Sequence, residues 1–148
     1  MRQFKGRAHH KMDAKGRISL PAKYRTKLAA SDLVLVPGMG QCLWLFTEEE
    51  YDKLIEPIQH ASLYDSAEID ELRDLYISGA EDVEVDSAGR IRISAEQREY
   101  AQLDKDVTIA GKGSYLELCD SELYQQKLGK IDKGEARKAL SRRSENAN

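Results

Sequence analysis

The chain of 148 residues is 41% apolar and 33% charged, with a formal net charge of −3. This is the composition of a folded soluble globule, the size of one ordinary domain or of two very small ones. No apolar run reaches the roughly 18 residues of a membrane-spanning helix, and the basic start (Arg2, Lys5, Arg7) has no apolar stretch behind it, so neither a span nor a secretory signal is expected.

In chain order the first signal is the turn Asp13-Ala-Lys-Gly-Arg17. Asp at its head can accept backbone N–H groups two residues on, and Gly supplies a positive φ at its end, which fits a short hairpin loop. The flank Ile18-Ser19-Leu20 alternates as a strand does. Pro21 suits the first turn of a short helix. Apolar strands follow at 33–36 and 42–46, joined through Pro37-Gly38-Met39-Gly40. A longer helix starts at Thr47, boxed by Glu50, with Tyr51, Leu54, Ile55 and Ile58 on one face. Residues 66–78 read as a further amphipathic helix through Ile69, Leu72, Leu75 and Tyr76, with Gly79 as its left-handed stop.

Then the pattern returns. With an offset of 73 residues, Asp86-Ser-Ala-Gly-Arg90-Ile91 falls on Asp13-Ala-Lys-Gly-Arg17-Ile18 without a gap. Arg98 falls on Arg25, Val107 on Val34, Gly111 and Gly113 on Gly38 and Gly40, Leu116 and Leu118 on Leu43 and Leu45, and Tyr124 on Tyr51. The second copy carries a capping box, Ser94 with Gln97, strands at 107–110 and 115–119, and a helix capped by Asp120 with Tyr124, Leu128 and Ile131 on its face. Neither copy has enough large apolar side chains for a good core, so the two are expected to pack into one pseudo-twofold unit with self-association through exposed edges. The division expected is a first module at 1–60, a connecting helix at 61–79, a second module at 80–132 and a charged, flexible tail at 133–148.

Charge is segregated along this pattern. Nine cations face the single acid Asp13 between positions 2 and 27, whereas fourteen acids face only Lys53 and Arg73 between positions 48 and 86. A phosphate backbone feels local patches of this kind rather than the net charge. The turn's Asp13, Gly16, Asp86 and Gly89 are read as structural. Lys15 and Arg17, with Lys11, Lys23 and Arg25 around them and almost no acid nearby, are read as DNA contacts, because an arginine on a rigid turn can offer two parallel donors to guanine O6 and N7 or to a phosphate. The second copy has Ala88 for Lys15 and Glu96 for Lys23, so its Arg90 is expected to contribute less. Arg25 and Arg98 could equally form salt bridges within their modules.

Other chemistries find little support. His9 and His10 are adjacent on a strand and point to opposite faces, so no metal site is expected there. Cys42 and Cys119 read as reduced core residues of a cytoplasmic protein, a disulfide between them being the other reading. No nucleophile–base pair, phosphate loop or dinucleotide fingerprint occurs, so neither an enzyme, a cofactor nor a small-molecule substrate is expected.

The segment Met12-Asp-Ala-Lys-Gly-Arg-Ile-Ser-Leu-Pro-Ala-Lys-Tyr-Arg25 resembles the N-terminal signature of the MraZ family, and Val85-Asp-Ser-Ala-Gly-Arg-Ile-Arg-Ile93 resembles that family's second motif. The resemblance spans most of the chain, roughly positions 4–131. It implies an α+β fold of two tandem AbrB/MraZ-like β-barrel modules of the swapped-hairpin type. It also implies a transcriptional regulator in the cytoplasm and nucleoid, assembled into a ring and binding short direct repeats of double-stranded DNA in the promoter of the division and cell-wall gene cluster. By the same resemblance Lys11, Lys15, Arg17 and Arg25 would contact DNA, while His10 stands where AbrB-like proteins often carry arginine. The rival reading is an AbrB-like protein-interaction module, an antitoxin or assembly scaffold, whose basic patch binds an acidic partner.

Overall fold

In the computed structural model, which describes residues 4–146, the alternating and apolar stretches become eight strands. They are β1 (Arg7–Lys11), β2 (Arg17–Ser19), β3 (Leu33–Pro37), β4 (Leu43–Thr47), β5 (Glu81–Val83), β6 (Arg90–Arg92), β7 (Asp106–Gly111) and β8 (Leu116–Asp120). Six α-helices accompany them among these residues: α1 (Arg25–Ala29), α2 (Glu48–Gln59), α3 (Ala67–Arg73), α4 (Ala95–Ala101), α5 (Ser121–Gly129) and α6 (Lys133–Asn146). Arg2, counted above in the basic segment, lies outside the described residues.

Helix starts follow side-chain chemistry. Thr47 accepts from the Glu50 N–H, Ser66 from Ile69, Ser94 from Gln97 and Asp120 from Leu123, so each satisfies a donor that the first helical turn leaves open. Each such cap is worth about 1 kcal/mol.

Six strands form one sheet in the order β1-β7-β8-β4-β3-β5, and β2 pairs with β6 in a separate two-stranded ribbon. Under the 73-residue repeat this order is a palindrome, since β5 repeats β1, β7 repeats β3 and β8 repeats β4. Repeat partners meet at the centre, Trp44 opposite Glu117 across β4 and β8, and Ile18 opposite Ile91 across β2 and β6. The first strand of each copy pairs in the other's half, β1 with β7 and β5 with β3. The architecture is mixed α/β with an open sheet; the closed barrels implied by the resemblance are not found among the described residues.

Both sheet faces are covered. Between sheet and ribbon lie Ile18, Leu20, Leu35, Leu45, Ile91, Ile93, Ile109 and Leu118, all at or near zero exposure. At about 1.5–3 kcal/mol for each large aliphatic side chain, this shared core is what holds the ribbon against the sheet. On the opposite face Trp44, stacked on Tyr76, packs with Phe46, Ile55 and Ile58. Beside them Cys42, Ala110, Cys119 and Tyr124 form a smaller cluster.

Several expectations are corrected. Helix α3 runs into a π-helical turn at Asp74–Ser78, which shifts its face, so Tyr76 is buried while Leu75 is 38% exposed. Gly79 has φ −84° rather than a left-handed conformation; a Cβ there would meet the Leu75 carbonyl at 2.6 Å, so the residue is needed for close approach. Ile131 lies beyond the end of α5 and is exposed. The charged segment after position 132 forms a helix over Lys133–Asn146, with none of its residues buried. Cys42 and Cys119 are joined in a disulfide rather than reduced, because they face one another one step beyond the Leu43–Leu118 pair of β4 and β8.

Candidate nucleic-acid interface

The two turns are built bond for bond alike. In the first, the Asp13 carboxylate accepts from the backbone N–H of Lys15 and of Arg17, both at 2.9 Å, and Arg17 Nε donates to its other oxygen at 2.7 Å. In the second, Asp86 accepts from Ala88, Arg90 and Arg90 Nε in the same way. Gly16 and Gly89 stand at φ +80° and +79°, the left-handed region. The backbone N–H of Arg17 is the largest influence; desolvation, the second, opposes it, and with the Arg17 side chain and the Lys15 N–H the Asp13 carboxyl is held down at about 2. Asp86 is lowered likewise, chiefly by the Arg90 N–H.

These bonds fix the direction of Arg17. Its side chain is 34% exposed, so solvent screens the ion pair with Asp13 and its main effect is orientation. Arg90 is held in the same fashion at 3.0 Å from Asp86.

The ribbon joins the turns. Ile93 N–H donates to the Gly16 carbonyl and Leu20 N–H to that of Gly89, so each turn is stitched to the other copy's strand. Each is also covered by the other copy's short helix. A Cβ at Gly89 would lie 2.7 Å from Arg25 Cδ, and one at Gly16 would lie 3.0 Å from Arg98 Cζ. Arg25 therefore sits at the second turn, not beside Lys15 and Arg17, with its Nε donating to the Leu20 carbonyl at 2.8 Å. A shallow cleft there is lined by Arg25, Asp86, Ser87 and Ala88, and its counterpart at the first turn by Asp13, Ala14, Arg98 and Glu99.

The surroundings of the first turn also differ from expectation. Lys11 stands opposite Asp106 on β7, and Glu99 and Asp104 line the cleft beside Asp13, so the second copy brings acids to cations that looked unopposed in sequence. Elsewhere on the basic segment, Arg7 donates to the Tyr124 hydroxyl, Lys23 donates to the Lys5 carbonyl and Lys27 lies over the Phe4 ring, so these cations serve packing. His10 is half-buried on β1; burial first, then Arg25 and His9, lower its pKa and keep the ring neutral near pH 7. His9 bonds Thr108 through Nδ1.

Sequence reasoning passed over Arg92. It lies opposite Arg17 on the ribbon, as Arg90 lies opposite Ser19. Residues opposed across a pair share a face, so the outward side of the ribbon carries Arg17, Arg90, Arg92 and Ser19 while Ile18 and Ile91 point into the core. The alternation Arg90-Ile91-Arg92 was the available signal.

Fold and site together define a duplicated-turn β-ribbon protein, in which one Asp-x-x-Gly-Arg turn is used twice and an arginine-bearing ribbon face is turned to solvent. A family model described as "MraZ protein, putative antitoxin-like" matches the chain twice, over residues 3–74 and 76–146. The chain belongs to the MraZ family. It is 40% identical over 138 residues to the transcriptional regulator MraZ of Treponema denticola, covering 91% of this chain and 95% of that one. It is 38% identical to the transcriptional regulator MraZ of Micrococcus luteus (82% of this chain, 83% of that one) and 39% identical to that of Kocuria rhizophila (84% and 86%). The family is one of regulators, not of enzymes.

Proposed function

We propose that this chain is a sequence-specific transcriptional regulator that lays its ribbon face and turns on double-stranded DNA. The observation that carries the reading is the pair of arginines, Arg17 and Arg90, each locked to its own turn aspartate on an outward-facing ribbon. A locked guanidinium loses little freedom on binding, and a two-stranded ribbon is slim enough to enter the major groove. Along the ribbon the two arginines are two residues apart, about 7 Å at strand rise, close to two base-pair steps. Arg17 and Lys15 read guanines, while Lys11, Arg25 and Arg90 contribute mainly phosphate contacts.

Two tandem copies form the DNA-binding unit, and several units act together as a ring-like homo-oligomer on short direct repeats in the promoter of the division and cell-wall gene cluster, in the cytoplasm and on the nucleoid. One such unit buries too little surface for tight binding, and multivalency supplies the remainder. Exposed Leu63 and Tyr64, in the loop between α2 and α3, support self-association. No helix among the described residues is long and apolar enough to cross a membrane.

A second reading, an antitoxin-like protein-interaction module, is favoured by α6. This helix of 14 residues buries none of them, and an isolated helix of that length is marginal unless a partner covers it.

The test is a fluorescence-anisotropy titration against duplex DNA from upstream of the protein's own gene, with scrambled DNA alongside, at several salt concentrations. Tight, salt-steep binding to the native duplex that Arg17→Ala weakens about thirtyfold is the expected result. Equal weak binding to both duplexes overturns the reading in favour of the interaction module.

A further inference from the structure

The two copies differ where their cations sit. The first has Lys15 in the turn and Ser19 on the strand; the second has Ala88 and Arg92 at those positions. Taken along the chain, the second copy has moved a cation from its turn to its strand. In three dimensions the antiparallel ribbon carries that cation away from its own turn. Arg92 is paired with Arg17, at the end of the ribbon where the first turn lies. Arg98 of the second copy covers Gly16 at that same end. The first turn thus gathers Lys15, Arg17, Arg92 and Arg98, whereas the second turn has Arg90 and Arg25 with neutral Ala88 and Ser19.

This placement carries an energetic cost within the protein alone. Like charges directly opposite on paired strands destabilise the pair. The Gly16–Ile93 and Gly89–Leu20 ladder bonds bracket the ribbon, so by the alternation of an antiparallel ladder Arg17 and Arg92 occupy the closer, non-hydrogen-bonded kind of pair. Arg17 is compensated by Asp13 at 2.7 Å. Arg92 is exposed and, among the described residues, its side chain forms neither an ion pair nor a hydrogen bond. An anion lying across Arg17 and Arg92 would relieve that repulsion, and a backbone phosphate is such an anion.

Resting on the DNA-binding reading above, we propose that Arg92 is a phosphate contact belonging to the first turn's site. The second copy then serves DNA binding chiefly by completing the first copy's site, not by forming an equal one of its own. Arg17 reads bases and Arg92 clamps the flanking phosphate.

Titrations of the full chain, Arg92→Ala, Arg17→Ala, Arg90→Ala and the two doubles containing Arg92→Ala test this, with native and scrambled duplexes over a range of salt. Arg92→Ala is expected to weaken both duplexes alike, by about tenfold, and to lower the salt slope by about one. Its effect should depend on whether Arg17 is present and be additive with Arg90→Ala. Because the side chain is exposed, circular dichroism should stay as in the unaltered protein, the melting temperature should hold or rise slightly as the repulsion with Arg17 is lost, and Arg92→Lys should restore most of the slope. If the unaltered protein binds the native duplex and Arg92→Ala matches it in affinity and slope, or couples to Arg90 instead of Arg17, the assignment is wrong while the function stands. If the unaltered protein binds neither duplex, the DNA-binding reading itself falls, and the assignment with it.

Discussion

The turn at Asp13 and the turn at Asp86 share their hydrogen bonds, their left-handed glycine and their arginine clamp, yet they stand in different company. Over Gly16 the nearest wall is the Ile93 carbonyl, part of the backbone; over Gly89 it is the flexible Arg25 side chain. Three further cations surround Arg17, but one accompanies Arg90. Duplication preserved the scaffold of the turn and let the charge on it diverge. A backbone motif is constrained by its internal bonds, whereas the outward side chains answer only to a partner.

The largest difference should appear in stability. Gly16→Ala places a Cβ 2.7 Å from a carbonyl that the ribbon holds fixed, in addition to the left-handed φ, and is expected to cost about 3 kcal/mol. Gly89→Ala meets only Arg25, which can move, and should cost about half as much. Denaturant melts of the two variants check this; equal losses would mean that the turns are packed alike.

Binding should show the next largest contrast. Arg17→Ala is expected to lose about 2 kcal/mol of specific affinity, roughly thirtyfold, and Arg90→Ala about half of that. An anisotropy titration with a larger loss at Arg90 would reverse the ranking of the turns. A smaller effect should come from adding back what the second turn lacks: Ala88→Lys is expected to raise the salt slope by about one. If the slope does not change, the second turn does not approach a phosphate.

The smallest contrast lies in the acid limb. Both aspartates titrate below the ordinary carboxylate value, Asp13 at about 2. A carboxyl depressed in the folded state contributes stability that is fully present above its unfolded value, about 3.9 for Asp, and is lost as pH falls through its folded value. Each turn should therefore keep its clamp at pH 4, and the first should loosen only near pH 2. Carboxyl carbon shifts followed by NMR would show a midpoint near 4 at Asp13 if the clamp were absent in solution.

What could be read from the chain was local. The Asp-x-x-Gly-Arg turns, the caps at Thr47, Ser94 and Asp120, and strands β3, β4, β7 and β8 to within a residue follow from neighbours in sequence, whereas the cap at Ser66 and the short strand β5 were not read. What escaped depends on register between distant segments. Arg25 looked like a partner for Arg17, but strand exchange carries it to the other turn. Lys11 looked unopposed until β7 set Asp106 across from it. The cysteines do not correspond under the repeat, so nothing in the pattern announced that β4 and β8 would align them. The π turn after α3 inserts a slip in the helical period that simple spacing does not foresee.

The bond between Cys42 and Cys119 closes a covalent ring around everything between them, including the exposed Leu63 and Tyr64. A protease cutting that loop in the oxidised protein therefore releases no fragment. The nicked chain gains only the mass of one water and migrates as two pieces only after a thiol reductant is added. For the same reason the two copies could be severed from one another in sequence and still travel as a single particle.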